Sequence, residues 1–417
     1  MKFLLLPACL LLFCGCRQAL VENLPITTIE VDIDENLVLK FSDIYESVRF
    51  VRLETTDNCL FGHIDKLIAT NDQYIILDRT AANMVFVFNS DGSFSNRIGV
   101  NGRGPNEYDE PSDIAYDEHD DVLLVLCRNF KTILRFKLDG TFVGKTTVDW
   151  WVNSIYVVGE NAYLLYFNNR LQPNGKRNAH NIAIINKEGA VLEELFPYND
   201  DYGELSPLIS NFSSFQNGVL FTPHYFNRSY VLEDNKIRTK YLLDTKKHNI
   251  SSASLKNITD RELHTVIKDN DYAFMISLHE TDSHVICQYV YRQIVYNCFY
   301  SKETKKVKTS SFYFNDMYAL LNDQSFRYLK GDSLISSLEP KFINYYKELM
   351  DSYNSNNDIK GVLHNRYSTL PNSILKDNFM KIITSTNITI SREELDFINS
   401  IDEQDNQILM ISTLRKF

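Results

Sequence analysis

The sequence predicts an all-β protein built from repeated four-stranded units, and two observations lead to that prediction. The first is the stretch from Asn83 to Tyr108, where β-branched and aromatic residues are followed by the turn Asp91-Gly92 and a second such run. The second is that the turn recurs after similar runs at Asp139-Gly140, Glu188-Gly189 and, less closely, Asp234-Asn235. The spacing of roughly 46 to 49 residues is typical of four-stranded propeller blades. The pattern therefore favours a β-propeller over a sandwich or a solenoid.

The chain begins with an apolar segment typical of a signal peptide. Lys2 is followed by Phe3 to Phe13, a stretch that is too short to span a bilayer but has the length of a signal-peptide core. It ends near Gly15 and Cys16, a pair that resembles the lipobox of bacterial lipoproteins, in which the cysteine becomes the lipidated first residue. We therefore predict a signal peptide over residues 1–15 and a lipid anchor on Cys16, with ordinary secretion as the alternative.

The segment between the anchor and the repeats is polar. Residues 16–46 are predicted to form a lipidated tether and N-terminal segment, flexible from Arg17 to roughly Asn36, with one candidate strand from Thr27 to Ile33. The next stretch, Ser47 to Glu54, alternates well enough to be a half-buried strand. It precedes the first full repeat, so its partner must come from elsewhere in the chain.

Composition indicates a large core and argues against one class of partner. Of the 417 residues, 44% are hydrophobic, and the 24 Tyr and 26 Phe favour strands. The formal net charge of −11 argues against nucleic acid as a partner, because the phosphate backbone would be repelled.

Five successive units contain strand-like runs when they are aligned on their turns. The predicted strands of the first three units are Ile64–Thr70, Tyr74–Leu77, Met84–Phe88 and Phe94–Ile98; Asp113–Tyr116, Val122–Cys127, Ile133–Lys137 and Phe142–Thr147; and Ser154–Val158, Ala162–Phe167, Ile182–Asn186 and Val191–Phe196. The fourth unit, residues 210–243, is less regular and keeps Val219–Pro223 and Ser229–Leu232. The fifth unit has Phe274–Leu278, Val285–Tyr291, Ile294–Tyr300 and Lys306–Phe314.

Helical patterns interrupt the repeats in two places. Thr259 and Glu262 have the spacing of a capping box ahead of an apolar run, which predicts a short helix between units four and five. Further on, Pro340–Tyr353 has a helical pattern, and Ser391 with Glu394 forms a second capping box. These helices would lie within the last unit.

The last unit is predicted to close the fold. Phe326–Leu338 can supply two strands and Ile408–Leu414 a third. Because a propeller must join its ends to remove sheet edges, we expect Ser47 to Glu54 to complete this sixth blade. Residues 47–417 are therefore predicted to form a six-bladed β-propeller of four-stranded antiparallel blades.

Four segments resemble a known group of proteins. They are Val51-Arg-Leu-Glu-Thr-Thr56, Gly102-Arg-Gly-Pro-Asn-Glu-Tyr108, the stretch from Asp332 to Pro340, and the ending from Asp405 to Arg415. Together they look like the six-bladed β-propeller lipoproteins related to NHL and TolB-type propellers. The resemblance implies this fold and a location in the cell envelope, as an outer-membrane lipoprotein. It brings no catalytic residues with it.

Two other segments are candidates for sites of chemistry. Residues 117–121, DEHDD, are oxygen-rich and would suit calcium, but their position between two strands favours a solvated hairpin tip, and no metal ligand is assigned. The glycine-rich residues 99–105 lack the GK[ST] ending of a phosphate-binding loop. Neither HExxH nor GxSxG is present.

Two cysteines are candidates for a disulfide. If Arg292-Gln293 is a two-residue hairpin connection, Cys287 and Cys298 lie directly opposite each other and are within reach of a bond. Two packed thiols are the alternative.

A set of arginines provides the candidate ligand site. In a propeller, the loops between second and third strands emerge on the same face as the crossings between blades. The residues predicted for that face are Arg79, Arg103, Arg128, Arg170, Arg228 and Arg292, with Tyr225, Tyr166 and Tyr291 near the same positions. Arginine beside aromatic rings suits a planar, anionic or sugar-like ligand. The alternative is that each arginine pairs with a neighbouring carboxylate and holds adjacent blades together.

The functional prediction is a non-enzymatic envelope lipoprotein. Its membrane contact is the lipid anchor, and its propeller face binds a small-molecule, peptide or glycan-like ligand, or scaffolds an envelope complex. The alternative is a propeller enzyme, either a lyase or a calcium-dependent lactonase-type hydrolase, which would need carboxylates or histidines to converge on the central channel. No other cofactor is predicted.

Overall fold

Antiparallel strands in groups of four make up most of the chain. The structure is a computed structural model that describes residues 25–33, 38–102, 104, 106–127, 131–168, 171–172, 174–176, 178–197, 212–215, 218–223, 226–233, 236–256, 258, 260–318, 326–370 and 373–417. Cys16 and the predicted signal peptide lie outside these residues. The predicted all-β class and the four-stranded antiparallel sheets are confirmed.

Sheets I to III are each formed by consecutive strands, so that neighbours in sequence are also neighbours in space. Their strands overlap all twelve that the repeats predict. Sheet I contains Lys66–Ala69, Gln73–Asp78, Met84–Asn89 and Phe94–Ile98; sheet II contains Pro111–Asp117, Val122–Cys127, Thr132–Phe136 and Phe142–Thr147; and sheet III contains Ser154–Gly159, Ala162–Tyr166, His180–Asn186 and Val191–Pro197.

Sheets IV and V continue the same order. Sheet IV contains Phe212–Phe215, Gly218–Phe221, Arg228–Glu233 and Lys236–Asp244, and sheet V contains Ala273–Glu280, His284–Tyr291, Ile294–Ser301 and Val307–Ser310. Sheet IV also carries a fifth strand, Thr27–Glu30, which pairs in parallel with its outer strand. A separate parallel pair joins Val38–Lys40 to Phe312–Phe314.

Sheet VI joins the two ends of the chain. It contains Phe326–Lys330, Ser333–Leu338, Ile408–Leu414 and Tyr45–Arg52 in that order. The register pairs Leu409 with Val51 and Ile411 with Arg49. The predicted pairing of the N-terminal strand with the last strand is therefore confirmed.

A separate hydrophobic cluster fills each space between successive sheets. Sheet VI also shares such a cluster with sheet I, because Leu409 and Ile76 belong to one buried group. The other interfaces contain, in order from sheet I, Val85 with Phe136, Leu124 with Tyr163, Tyr166 with Phe221, Leu220 with Val285, and Phe299 with Met410. Sheets that pack face to face in sequence order, with the last on the first, form a β-propeller.

The glycines of the repeated turns are required by their backbone conformation. Gly92, Gly140 and Gly189 have φ of +92°, +87° and +91°, a region that strongly favours glycine. A Cβ on Gly92 would lie 1.9 Å from the carbonyl oxygen of Arg52, which belongs to the outer strand of sheet VI. These turns therefore need glycine, and the first of them contacts the preceding sheet. The Asp234-Asn235 turn lies outside the described residues.

The helices lie at the periphery of the sheets. A four-residue helix, Phe41–Ile44, precedes the outer strand of sheet VI, and Asp260–Asp269 lies between sheets IV and V after two short 3-10 segments, Lys246–His248 and Ser252–Leu255. Between the second and third strands of sheet VI are a 3-10 turn, Pro340–Phe342, and four helices, Ile343–Asn356, Ile359–Ser368, Ser373–Ser385 and Arg392–Asn399.

The last of these helices begins at the predicted cap. The hydroxyl of Ser391 accepts the backbone N–H of Glu394 at 3.0 Å. In the same helix, Phe397 lies 5.1 Å from Phe50 between ring centroids, and Phe50 belongs to the outer strand of sheet VI. This helix therefore packs against the outer strand of sheet VI.

The N-terminal segment differs from the predicted flexible tether. Thr27–Glu30 is a strand of sheet IV, and Ile29, Val31 and Ile33 are buried in the cluster between sheets IV and V. The candidate strand is therefore present, and the tether prediction is wrong from residue 27 to residue 33. The physical reason is that three alternating apolar side chains cover the edge of sheet IV. Among the described residues, no helix is both long and apolar enough to cross a bilayer.

Candidate functional site

A large cavity lies among the first strands of all six sheets. Its volume is about 1360 Å³. The residues of the first strands and their adjoining turns that line it are 65–73, 114–116, 118–119, 121, 156–160, 212–214, 277, 279–282 and 328–331. Because each sheet contributes its first strand, the cavity follows the centre of the propeller.

The turns around the cavity show which face of the fold it reaches. Its lining includes turn residues that connect the first and second strands, such as Asp72 in sheet I, Glu118 in sheet II, Glu160 in sheet III and Asp282 in sheet V. None of the predicted arginines that the structure describes lines it. The cavity is therefore associated with the face opposite to the predicted ligand face.

Two of the predicted arginines are paired with carboxylates instead of facing the cavity. Arg79 forms a salt bridge with Asp65 at 3.4 Å, and its backbone N–H donates to the same carboxylate at 2.7 Å. Arg292 donates through Nε to Asp271 at 2.7 Å and through Nη2 to the second oxygen, while its guanidinium lies 5.0 Å from the Tyr291 ring centroid. These pairings match the alternative in which each arginine serves the fold.

The other residues predicted for this face are described only in part. Arg228 is exposed at the start of its strand. Arg103, Arg128, Arg170 and Tyr225 lie outside the described residues, and Tyr166 is buried in the interface between sheets III and IV. Loop position alone predicted a common face, but it contained no information on the acidic partner of each side chain.

Three tyrosines give the cavity aromatic surface and hydroxyl groups. Tyr116, Tyr156 and Tyr328 are half-buried and come from sheets II, III and VI. The hydroxyl of Tyr156 lies 2.8 Å from that of Ser214, and burial raises the pKa of both Tyr156 and Tyr328. Their hydroxyls therefore stay protonated at neutral pH and are available as hydrogen-bond donors.

Charged side chains on the inner strands are mostly paired. Lys66 contacts Asp113 at 2.6 Å, and Asp113 also accepts the backbone N–H of Ile155 in sheet III at 2.8 Å. Glu280 contacts Lys302 at 2.8 Å and Lys240 at 3.5 Å. These groups stabilise the wall of the cavity by joining neighbouring sheets.

One histidine lies in the same wall. His279 is half-buried in the first strand of sheet V, and burial lowers its pKa to about 4. Its imidazole is therefore neutral at physiological pH, so it contributes a polar group without a positive charge.

The acidic segment at residues 117–121 forms a hairpin turn at the cavity. Asp117 is buried and accepts the backbone N–H of His119 at 3.1 Å, Asp120 pairs with Lys187, and Asp121 accepts the Tyr116 hydroxyl at 2.5 Å. Over the part of the chain that the structure describes, no three His, Cys, Asp or Glu side chains are arranged to hold a metal ion. Residues 118–121 connect the first and second strands of sheet II, which is the position that the hairpin interpretation predicts.

The sequence contained a signal for the opposite face that the arginine hypothesis missed. Turns between first and second strands carry an acidic residue in five of the six sheets. These residues are Asp72, Glu118, Glu160, Asp282 and Asp332. A comparison of these turns across the aligned repeats, in addition to the loops that carry arginine, would have revealed them.

The two candidate cysteines lie opposite each other as predicted. Arg292 and Gln293 form the two-residue connection, and the register pairs Cys287 with Cys298. Both are free and fully buried, and a hydrogen bond with Cys287, followed by burial, raises the pKa of Cys298. The disulfide itself stays a prediction.

Comparison with solved structures finds a protein of similar fold. A Bacteroides fragilis protein described as exported is 16% identical, with a TM-score of 0.68 over 94% of this chain and 100% of that one. A Bacteroides vulgatus member of the DUF4221 family is 11% identical, with a TM-score of 0.46 over 70% of this chain and 91% of that one. At such identities the likeness concerns the fold alone.

Comparison at the level of sequence identifies the family. The search of curated proteins finds no match. The family model described as Domain of unknown function (DUF4934) matches residues 24–365, which include sheets I to V and three of the four strands of sheet VI, all except Ile408–Leu414. The chain therefore belongs to the DUF4934 family.

Proposed function

We propose that this protein is a six-bladed, lipid-anchored propeller of the cell envelope that binds a polar, glycan-like ligand in its central cavity without converting it. The six sheets, each with four consecutive antiparallel strands, and the cluster between sheets VI and I support six blades. In this proposal, the ligand enters from the face that carries the turns between first and second strands.

The observation that carries the ligand-binding proposal is the chemistry of the cavity wall. A volume of about 1360 Å³ exceeds the roughly 300 to 1,000 Å³ usual for small-molecule sites, so an oligomeric ligand would fit. Tyr116, Tyr156 and Tyr328 offer rings for stacking, and Asn71, Gln73, Ser214, Ser277 and Gln288 offer hydrogen-bonding groups. Aromatic rings among short polar side chains suit a sugar, which has apolar faces and hydroxyl edges.

A retention experiment tests this proposal and does not require the ligand to be identified beforehand. The purified protein is incubated with a filtered small-molecule extract of a bacterial culture, washed and denatured, and the released compounds are measured by mass spectrometry. Ser214→Trp places a large ring in the cavity, whereas Ser95→Trp makes the same change on the exposed outer strand of sheet I. We expect a polar compound to be retained by the wild type and by Ser95→Trp but not by Ser214→Trp.

Two other outcomes would contradict the proposal. Equal retention by all three proteins would show that binding does not involve the cavity, and no retention by any of them would remove the support for a ligand. Conversion of the retained compound during incubation would favour the enzymatic alternative, a lyase or a calcium-dependent hydrolase.

The envelope location rests on the leader and is supported by the exported relative. Lys2, the apolar run from Phe3 to Phe13 and the Gly15-Cys16 pair predict export and lipidation. The Bacteroides fragilis protein of similar fold is described as exported. We propose an outer-membrane lipoprotein on this basis.

Replacement of Cys16 tests the anchor. We expect Cys16→Ala to move the protein from the membrane fraction to the soluble fraction, because it removes the acyl chains that would hold the protein in the bilayer. Immunoblots of fractionated cells measure this, with Cys59→Ala as the matched change at a buried cysteine. A Cys16→Ala protein that stays in the membrane fraction would show that the lipobox interpretation is wrong.

A further inference from the structure

Five carboxylates surround the cavity on the face where the proposed ligand enters. Asp72, Glu118, Asp121, Glu160 and Asp282 are exposed, line the cavity, and belong to the turns between first and second strands of sheets I, II, III and V. We refer to these five residues as the acidic rim. Turns that follow one another around a propeller place their charges around one opening.

The lysines near the cavity offset only part of the charge of the acidic rim. The charge of Lys330 acts on Asp72 and Glu118, and Lys137, outside the cavity lining, lies 4.0 Å from Asp121. Lys66 is held by Asp113 at 2.6 Å, Lys302 by Glu280 at 2.8 Å, and Lys330 donates to the carbonyl of Thr70. Within the described ranges, the carboxylates of Asp72, Glu118, Glu160 and Asp282 form no hydrogen bond or salt bridge. The potential at the opening is therefore negative, and a cavity with low-dielectric walls concentrates it.

One rim carboxylate, Glu118, lines the same cavity as the tyrosine rings. After burial, the charge of Glu118 is among the causes that raise the pKa values of Tyr156 and Tyr328. All three side chains line the cavity, the two rings from sheets III and VI and the carboxylate from sheet II. The acidic rim thus continues into a cavity that already contains tyrosine rings.

This combination selects a class of ligand by charge. A tyrosine face attracts a cation through the quadrupole of the ring, and a carboxylate without a partner adds a direct ionic contact. The same carboxylates would repel an anionic ligand. We propose that the ligand of the cavity carries a positively charged amine, as an amino sugar or its oligomer does. This inference rests on the proposed function and specifies the chemical class of its ligand.

Matched trisaccharides test the inference. The glucosamine trimer is cationic, the N-acetylglucosamine trimer has the same backbone without the charge, and the galacturonic acid trimer is anionic. We expect isothermal titration to show binding of the cationic trimer that is at least about tenfold tighter than that of the neutral trimer, and no binding of the anionic one. The double variant Glu118→Gln with Glu160→Gln should bind the cationic trimer about tenfold more weakly, or weaker still, than the wild type does.

A control variant separates a specific site from a general effect of charge. Glu193→Gln with Glu194→Gln removes the same two charges from the outer strand of sheet III, outside the cavity lining, and should leave the affinity within about twofold. The inference is wrong if the cationic trimer binds no tighter than the neutral one. It is also wrong if both double variants lose affinity for the cationic trimer equally. Retention that is lost only in Ser214→Trp would still support the cavity as a site, so the two failures are distinguishable.

Discussion

Asp113→Ala is expected to lower the free energy of unfolding by about 3 to 5 kcal/mol, because it leaves the half-buried ammonium of Lys66 without its counter-charge and the buried N–H of Ile155 without its acceptor. Asp113 is 4% exposed and contacts Lys66 at 2.6 Å, and it accepts the N–H groups of Ile114 at 2.9 Å and Ile155 at 2.8 Å. One carboxylate therefore joins the first strands of sheets I, II and III. Urea denaturation followed by circular dichroism measures the change.

Two further variants isolate the cause of this loss. Glu233→Ala removes a more exposed pair with Arg238, and it should cost less than about 1 kcal/mol. Lys66→Met with Asp113→Leu replaces both charges by apolar groups, so it should recover part of the loss and leave about 1 to 3 kcal/mol for the unpaired N–H of Ile155. An Asp113→Ala protein as stable as the wild type would show that the three sheets do not depend on this group.

Asp78→Ala is expected to lower the free energy of unfolding by about 3 kcal/mol or more, because several backbone N–H groups lose their acceptor at once. Asp78 is fully buried at the end of the second strand of sheet I. Its carboxylate accepts the N–H groups of Gly62 at 2.7 Å, His63 at 3.2 Å, Thr80 at 3.0 Å and Ala81 at 2.8 Å. It thus holds the crossing from sheet VI and the loop after its own strand. Thermal and urea unfolding measure the effect.

The pH dependence of this contribution has a definite sign. Burial alone would raise the pKa of Asp78. The backbone hydrogen bonds together lower this pKa by more than burial raises it, so the net shift is downward. A carboxyl whose folded pKa lies below its unfolded value of about 3.9 stabilises the fold above that value and loses the contribution as pH falls through the folded pKa. The stability difference between the wild type and Asp78→Asn should therefore be constant near neutral pH and shrink below about pH 4. A difference that is unchanged down to about pH 2 would contradict this assignment.

Local patterns were sufficient to predict much of the fold. Gly92, Gly140 and Gly189 mark turns whose positive φ leaves little alternative to glycine, so their spacing reported the repeat directly. The pairing of the last strand with the strand at Tyr45–Arg52 followed from the need to remove sheet edges. Both predictions depend on local backbone chemistry or on topology, which a single sequence contains.

The candidate site was less predictable because it depends on distant partners. Arg79 and Arg292 occupy the expected loops, yet Asp65 and Asp271 neutralise them, and those carboxylates precede the arginines by 14 and 21 residues. The strand at Thr27–Glu30 was a candidate, but its pairing with sheet IV was not predicted. Its partner lies more than about two hundred residues further along the chain, and local patterns carry no information on such a partner. The acidic rim was visible as a repeated turn residue, but only the structure shows that those turns line the cavity.

The position of a bound ligand tests the central claim most directly. A crystal structure of the protein with the retained compound, or with the glucosamine trimer, would locate it. We predict ligand density within the central cavity, in contact with Tyr156 and Tyr328 and with at least one carboxylate of the acidic rim. The account would be contradicted by ligand density on the opposite face, beside Arg79 or Arg292. Density among the helices that connect the second and third strands of sheet VI would also contradict it.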